Sequence, residues 1–484
     1  MRTMQMTMPG CTALAAALVA GLALHAPALA QGTGTGNQPA APEARQATPG
    51  GESNEGESYG GPLLQRGNLL GDPLGLRSAA ARHGLTFGLA EAVEVLGNPS
   101  GGIRRGAVFE GLLAMSVGLD TKKAGLWDGG TFNASSYQIH GRGLSLNNLG
   151  NNGNTVSGIE ALRGTLLFEL WYEQALLEGK LGIRVGQLAA DQEFQISQYG
   201  NLFINHTFGW STLPSADLSS GGPAYPLATP GVRIRYVPRE DLAFLLSVLN
   251  GDAARPGIGI PQARDPSGTA FRLDGGVFVI GEVQTMVSPY GLAGTYKLGA
   301  TYNSNAFADQ RFTSAGASLA DPQNLPGNRQ RQRRNNWSIY AVADQLVWHP
   351  ADIKDGIGTF LRLQGAPGDR NLVNFYVDAG VTWKGIIPNR TNDTAGIAFG
   401  LARNSDTATK LDADVARLIN PAFPRRRFES VLEVTYQAQI APWFQIQPTA
   451  QYIFNINGGV LQPGSATKRV GDAAVFGLRT NVAF

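Results

Sequence analysis

The chain has 484 residues, of which 39 are Lys or Arg and 37 are Asp or Glu, and its mean hydropathy is -0.10. The formal charge of +2 does not favour a nucleic-acid binder, and no apolar run after residue 30 reaches the length of a membrane helix. A membrane β-barrel escapes this hydropathy test because only every second residue of its strands faces lipid.

Residues 1–30 predict a signal peptide, with Arg2, an apolar run over 13–24 and a small-residue cleavage site at 28–30. The single cysteine, Cys11, lies in this segment, so the mature chain is expected to hold neither disulfides nor thiolate metal sites. Residues 31–65 are rich in Gly, Pro, Ala, Ser and Glu, which predicts a disordered tail. Residues 66–484 then form the folded domain.

About sixteen amphipathic runs follow, in which polar and apolar residues tend to alternate as in β-strands. Their predicted spans are 85–96, 106–119, 130–139, 162–175, 179–188, 231–237, 242–250, 271–284, 293–303, 337–348, 357–365, 373–384, 394–402, 428–440, 443–454 and 474–484. Connections after even-numbered runs are mostly tight, whereas those after odd-numbered runs include the long stretches 189–230, 304–336 and 403–427.

This asymmetry is typical of bacterial outer-membrane proteins, which have an even number of strands, short periplasmic turns and long outer loops. The predicted fold is therefore all-β, a transmembrane antiparallel β-barrel of about 16 strands in the outer membrane. Because a barrel of this size leaves an aqueous lumen, the fold suggests passive permeation.

Two stretches in the middle of the chain, TLLFELWYEQ at 165–174 and LGIRVGQLAADQEF at 181–194, resemble the carbohydrate-selective outer-membrane porin family of the OprB type. Further matching stretches extend the resemblance from about residue 69 to the end of the chain. The resemblance implies diffusion of sugars through a barrel of about sixteen strands. The chain departs from the family pattern at 71–75 and 455–459, which leaves the identity of the sugar open.

Strand alternation assigns a set of charged and aromatic side chains to the lumen, since an Arg or Lys facing lipid at the bilayer midplane costs about 2–4 kcal/mol. This set is Glu169, Trp171, Glu173, Arg184, Arg233, Arg235, Arg362, Glu433 and Arg479. The long stretch 189–230 is expected to fold inward as a constriction, with Asp191 and Glu193 at its start. Arg and Glu can hold sugar hydroxyls and Trp171 can stack on a sugar face, or the charges only solvate the lumen and pair with one another.

Enzyme motifs are absent from the sequence, which has no Gly-x-Ser-x-Gly, no phosphate loop and no His-Glu-x-x-His. Glu169 and Glu173 share a face, but their lumenal position explains them without a hydrolase. We expect no catalysis, cofactor, metal or nucleic-acid partner. The expected partners are small saccharides, outer-membrane lipids and a possible homotrimer. The prediction is a passive carbohydrate porin, with a general or anion-leaning porin and a secreted soluble glycan-binding or glycan-hydrolysing β-protein as alternatives.

Overall fold

The computed structural model describes residues 60–151, 154–324, 329–350 and 356–484. Within these residues sixteen antiparallel strands close into one barrel, in which each strand pairs with its neighbours in sequence and the first pairs with the last. The predicted signal peptide and nearly all of the predicted disordered tail lie outside the described residues. No helix in the described part of the chain is long and apolar enough to cross a membrane.

The strands are β1 (Leu85–Gly102), β2 (Gly106–Asp120), β3 (Gly130–Gly141), β4 (Gly164–Leu176), β5 (Leu181–Leu188), β6 (Thr229–Arg239), β7 (Leu242–Asn250), β8 (Val277–Val287), β9 (Gly294–Thr313), β10 (Gln330–Trp348), β11 (Ile357–Gly365), β12 (Val373–Lys384), β13 (Thr394–Asn404), β14 (Phe428–Ala441), β15 (Phe444–Phe454) and β16 (Gly471–Ala483). The predicted barrel of about sixteen strands is therefore confirmed, and each predicted run overlaps one strand.

Besides the strands, the described residues form four α-helices, α1 (Leu76–Arg82), which precedes β1, and α2 (Thr212–Asp217), α3 (Pro261–Arg264) and α4 (Asp406–Leu418), which lie in connections between strands. The described residues also form single 3-10 turns at Pro73–Gly75, Ala190–Gln192, Gly200–Leu202, His206–Phe208, Ser219–Gly221, Pro289–Gly291 and Ile456–Gly458, and a π-turn at Ser145–Leu149. Most of these elements lie in the long connections after odd-numbered strands, as the length asymmetry predicts.

One long connection is shorter than the sequence predicts. The stretch 304–336 was expected to be a loop, but β9 continues to Thr313 and β10 begins at Gln330. The two strands stay paired as far as Thr313 and Gln330, and an ion pair between Arg333 and Asp309 bridges this extension, with 2.8 Å between guanidinium nitrogen and carboxylate oxygen. The outer hairpin of β9 and β10 is therefore mostly strand.

Strand register separates an apolar outer face from a polar inner face. Val185, Val232 and Val248 are aligned across β5, β6 and β7, and all three are exposed on the outside. Their neighbours Arg184 and Arg233 are aligned on the inside and are buried. Because successive residues of a strand point to opposite faces, this arrangement gives a lipid-facing band around a polar lumen.

Candidate functional site in the lumen

The connection between β5 and β6, residues 189–228 and hereafter the β5–β6 loop, folds into the barrel and lies against its inner wall. Glu433 of β14 accepts hydrogen bonds from the backbone N–H groups of Ile204 at 2.8 Å and Asn205 at 2.9 Å. Four strands away in the barrel, Asp344 of β10 accepts a hydrogen bond from the N–H of Gln198 at 3.1 Å. The β5–β6 loop therefore folds inward, as the sequence predicts.

Arg362 of β11 anchors the middle of the same loop. Its guanidinium donates to the carbonyl oxygens of Thr207 at 2.6 Å and Gln195 at 3.1 Å, and it forms an ion pair with Asp378 of β12. Arg362 and Asp378 are both 0% exposed, so a solute has no access to them. A buried guanidinium needs several acceptors, and the backbone of the loop supplies them.

An apolar contact completes this attachment. Phe203 and Phe208 of the loop pack on Phe360 of β11, with ring centroids 5.9 Å and 6.3 Å from that of Phe360. All three side chains are buried. An apolar layer therefore lies between the loop and the wall, although most of the inner face of the barrel is polar.

A second inward loop, residues 142–163 and hereafter the β3–β4 loop, covers the wall near β1 and β16. Arg479 of β16 forms a buried ion pair with Glu94 of β1, and its guanidinium also reaches the hydroxyl of Ser157. The two inward loops are hydrogen-bonded to each other, with the N–H of Gly158 donating to the carbonyl of Ile204 at 3.1 Å. Together they form one layer against the inner wall.

Four of the predicted lumenal charges meet in one place, which we call the charge cluster: Glu173 of β4, Arg184 of β5, Arg233 of β6 and Glu193 of the β5–β6 loop. Arg184 lies 2.7 Å from a carboxylate oxygen of Glu173 and 2.7 Å from one of Glu193. Arg233 joins the same two carboxylates at 3.0 Å and 2.6 Å. Two carboxylates and two guanidinium groups therefore form a closed and formally neutral ring.

Exposure within the charge cluster is uneven. The side chain of Glu173 is 22% exposed, whereas Arg184 and Arg233 are 6% and 2% exposed. Burial acts to raise the pKa of Glu193, but the guanidinium groups of Arg184 and Arg233 outweigh it and hold that pKa below its ordinary value. Glu193 thus stays ionised beside its two guanidinium partners, and Glu173 is the most exposed member of the cluster.

Trp171 and Glu169 of β4 extend the cluster along the wall. The guanidinium carbon of Arg184 lies 3.8 Å from the centroid of the Trp171 ring, and Trp171 Nε1 donates to Glu169 at 3.3 Å. Glu169 also accepts the N–H of Ala189, where the β5–β6 loop begins. The half-buried indole is therefore held by a cation on one face and a carboxylate at its edge.

The remaining predicted residues have different surroundings. Asp191 accepts the N–H of Tyr225 at 3.1 Å and so joins the two ends of the β5–β6 loop. Arg235 is half-buried on the inner face of β6, two residues from Arg233 and nearer to the short turns. Arg362, Glu433 and Arg479 lie apart from the charge cluster, under the inward loops.

Sequence reasoning missed three acidic residues that the inward loops cover: Glu94 and Asp378, which pair with Arg479 and Arg362, and Asp344, which holds the β5–β6 loop. Asp344 and Asp378 are each the only acidic residue in their predicted runs, 337–348 and 373–384, which was an available signal. Their partners could not be read from the sequence because they come from segments more than a hundred residues away or from the neighbouring strand. In the described residues, no group of His, Cys, Asp and Glu is arranged to hold a metal ion.

Comparisons with known proteins agree with this architecture. The family model described as carbohydrate-selective porin, OprB family, matches residues 104–484. Porin B of Pseudomonas aeruginosa is 24% identical over 444 residues, which cover 86% of this chain and 91% of that protein. The high-pH structure of Pseudomonas putida OprB superposes with a TM-score of 0.76 at 21% identity, covering 88% of this chain and 100% of that one.

Proposed function

Because the chain belongs to the OprB family of carbohydrate-selective porins and is an outer-membrane carbohydrate porin, we propose that it selects small neutral saccharides, monosaccharides foremost, at the charge cluster and Trp171. The solute passes beside the inward loops without chemical change. The β5–β6 loop sets the width of the passage, and the cluster sets the chemistry of its wall.

The observation that carries this proposal is the difference in burial between Glu173 and the other members of the charge cluster. Arg184 and Arg233 are buried and each pairs with Glu173, so they fix its carboxylate in place, while the side chain of Glu173 stays partly exposed. A fixed carboxylate accepts hydrogen bonds from sugar hydroxyls without first having to be ordered. The formally neutral ring also gives a neutral solute no electrostatic penalty.

Trp171 supports the same assignment. Its indole is half-buried and held in position by Arg184 and Glu169, and an apolar ring face suits the C–H face of a pyranose. Glu173 lies two residues from Trp171 on the same face of β4, so one small sugar can contact both side chains. A polar wall with one fixed aromatic residue favours weak and reversible contacts, which a diffusion channel requires.

Planar-bilayer conductance of the purified mature protein, folded in detergent and titrated with glucose and then with gluconate at constant KCl, tests the proposal. We expect discrete conductance steps that millimolar glucose reduces, and a several-fold weaker effect of glucose on Trp171→Leu. Trp383→Leu is the matched control, because Trp383 is exposed on the outer face of β12. Block by gluconate alone would indicate an anion-leaning pore, and a glucose effect unchanged in Trp171→Leu would remove Trp171 from the site.

A further inference from the structure

Five carboxamide side chains line the lumenal face of three neighbouring strands near their short turns, and we call them the amide strip: Gln437 and Gln439 of β14, Gln445 and Gln447 of β15, and Asn481 of β16. Alternation places Gln437 and Gln439 on the same face as Glu433, which points inward and holds the β5–β6 loop. Gln445 is the register partner of both Gln439 and Asn481. The five side chains therefore form one continuous surface.

The wall at the amide strip carries no accessible charge. Glu433 and Arg479 are the charged lumenal side chains nearest to the strip along β14 and β16, and they are 0% and 2% exposed. Both lie under the inward loops. The members of the strip are half-buried, except for the buried Gln447. The exposed part of this wall is therefore polar and neutral.

A chain of hydrogen bonds aligns the amides and leaves part of their capacity unused. Asn481 Nδ2 donates to Gln445 Oε1 at 3.2 Å, and Gln445 Nε2 donates to Gln439 Oε1 at 2.7 Å. Gln439 Nε2 continues the chain to the carbonyl oxygen of Ala441 at 2.6 Å. Because each carboxamide nitrogen carries two hydrogens, Gln445 and Asn481 each keep one N–H without a partner among the described residues.

Gln447 connects the amide strip to the β5–β6 loop. Its Nε2 donates to the carbonyl oxygen of Leu202 at 2.7 Å and to Thr435 Oγ1 at 3.1 Å. Its Oε1 accepts from Gln437 Nε2 at 3.3 Å, whereas Gln437 Oε1 accepts no hydrogen bond from the described residues. The strip thus begins at the edge of the loop, with two spare donors and a spare acceptor held on rigid strands.

This chemistry suits a neutral ligand that is rich in hydroxyl groups. A sugar hydroxyl donates and accepts at once, and so does a carboxamide. An ion would lose hydration at this wall without meeting an opposite charge. Neighbouring strands lie about 4.7–4.9 Å apart, so the three strands span roughly 10 Å, which is enough for one small saccharide.

The amide strip is separate from the charge cluster. Strands β1 to β3 lie between β16 and β4 on one side of the barrel, and β7 to β13 lie between β6 and β14 on the other. Both groups lie near the short turns, since Glu173 is three residues from the end of β4 and Gln439 is two residues from the end of β14. At this depth the lumen therefore has one charged wall and one uncharged wall.

We propose that the amide strip is a second saccharide-binding surface of the pore, which holds one neutral sugar through the spare N–H groups of Gln445 and Asn481 and through Gln437 Oε1. The strip contains neither an aromatic ring nor a charge, so its binding depends neither on ring stacking nor on ionic strength. The contacts are hydrogen bonds alone, which a passing sugar can exchange for water. The inference rests on the proposed passage of neutral saccharides, but not on the role of Trp171.

Glucose block of the Trp171→Leu channel in planar bilayers isolates the amide strip, because stacking at the other wall is then lost. We expect a residual block whose half-block glucose concentration is the same at low and at high KCl. Adding Gln437→Leu and Gln445→Leu should raise that concentration several-fold. Gln284→Leu in the same background is the matched control, since Gln284 is a half-buried lumenal amide of β8, three residues from the end of that strand.

Semi-native electrophoresis verifies that each variant folds. If the leucine pair does not fold, Gln437→Ser with Gln445→Ser replaces it, because serine stays polar but is too short to present the same groups. No residual block in Trp171→Leu, a half-block concentration unchanged by the amide variants, or an equal rise in Gln284→Leu would each overturn the inference. If glucose blocks Trp171→Leu as it blocks the wild type, the proposed role of Trp171 fails, and the amide variants should show the same rise in the wild-type background.

Discussion

The guanidinium of Arg184 lies over the indole of Trp171, with 3.8 Å between its central carbon and the ring centroid, while its nitrogens bind Glu173 and Glu193. A single cation thus uses its face and both its edges at once. A guanidinium can do this because it is planar and carries five donors, whereas an ammonium group cannot. The relationship fixes one aromatic and two acidic side chains relative to each other on the lumenal wall.

Arg184→Lys should therefore weaken sugar binding without changing the charge of the pore. We expect the concentration of glucose that halves the conductance to rise several-fold, because Trp171 and Glu173 lose their common support, which is worth about 0.5–2 kcal/mol for the cation–aromatic contact alone. Cation-to-anion selectivity, measured from the reversal potential in a KCl gradient, should stay the same. A large change in selectivity with unaltered glucose affinity would contradict this account.

Glu173→Gln, unlike Arg184→Lys, should change the ion selectivity of the pore. Removing the one exposed carboxylate of the charge cluster leaves two guanidinium groups with a single partner, Glu193, so the local charge rises by one unit. We expect the reversal potential to shift toward anions and gluconate to enter more readily. Glu178→Gln, in the exposed turn between β4 and β5, is the control with the same chemical change. If both variants shift equally, the effect is not local to the cluster.

Shortening the β5–β6 loop should widen the pore. The N–H of Ala190 donates to the carbonyl of Pro223 at 2.6 Å, so a short Gly-Ser link in place of residues 191–222 can close the gap without moving the strands. We expect a several-fold larger single-channel conductance and entry of larger saccharides in liposome swelling. The matched control replaces 463–467 of the β15–β16 connection, where Gln462 and Lys468 are bonded at 2.7 Å. Conductance no larger than that of the control would exclude this loop as the constriction.

Arg362→Met should destabilise the barrel and loosen the same loop. It leaves the buried Asp378 without its cation, a change that typically costs about 3–5 kcal/mol. The folded form should be lost at lower temperature in semi-native electrophoresis, and current noise should increase. Arg403→Met is the control. It removes an exposed ion pair with Asp406, and such a pair usually stabilises the folded state by only about 0–1 kcal/mol. Adding Asp378→Leu to Arg362→Met should restore part of the thermal stability, and no restoration would argue against an unpaired carboxylate as the cause.

Glu160 in the β3–β4 loop predicts a dependence of stability on pH. Burial raises its pKa from 4.5 to about 8, although hydrogen bonds from Ser145 oppose the shift. Between these two values the folded state holds a proton that the unfolded state has released, so stability falls as pH rises, by up to about 1.4 kcal/mol per pH unit. Below pH 4.5 and above about pH 8, Glu160 contributes nothing to the change of stability with pH.

Glu160→Gln should flatten this dependence, because the amide has no proton to release over the range. The measurement is the midpoint of thermal unfolding in detergent at several pH values between 4.5 and 8. Glu178→Gln, at an exposed turn, serves as the control and should keep the wild-type slope. An identical slope in Glu160→Gln would assign the pH dependence to other groups.

The strands and their faces could be predicted from the sequence because both depend on local information. Alternation within a run decides which side chains share a face, and short turns decide that neighbouring runs pair. Arg184 and Arg233 were thus assigned to the lumen without knowledge of any contact. The error at 304–336 has the opposite origin, because β9 and β10 extend there by pairing with each other, as Arg333 does with Asp309, and neither segment alone shows that pairing.

The tertiary structure alone decided which lumenal charges a solute can reach. Glu173 and Glu433 satisfy the same alternation rule, yet the β5–β6 loop covers Glu433 with two backbone N–H groups and leaves Glu173 partly open. Arg479 meets Glu94 only because β16 closes the barrel against β1, 385 residues apart in the chain. Alternation along a strand decides whether a side chain points into the lumen or toward lipid. The burial of a lumenal side chain depends on where a loop that is distant in the sequence finds its hydrogen-bond partners.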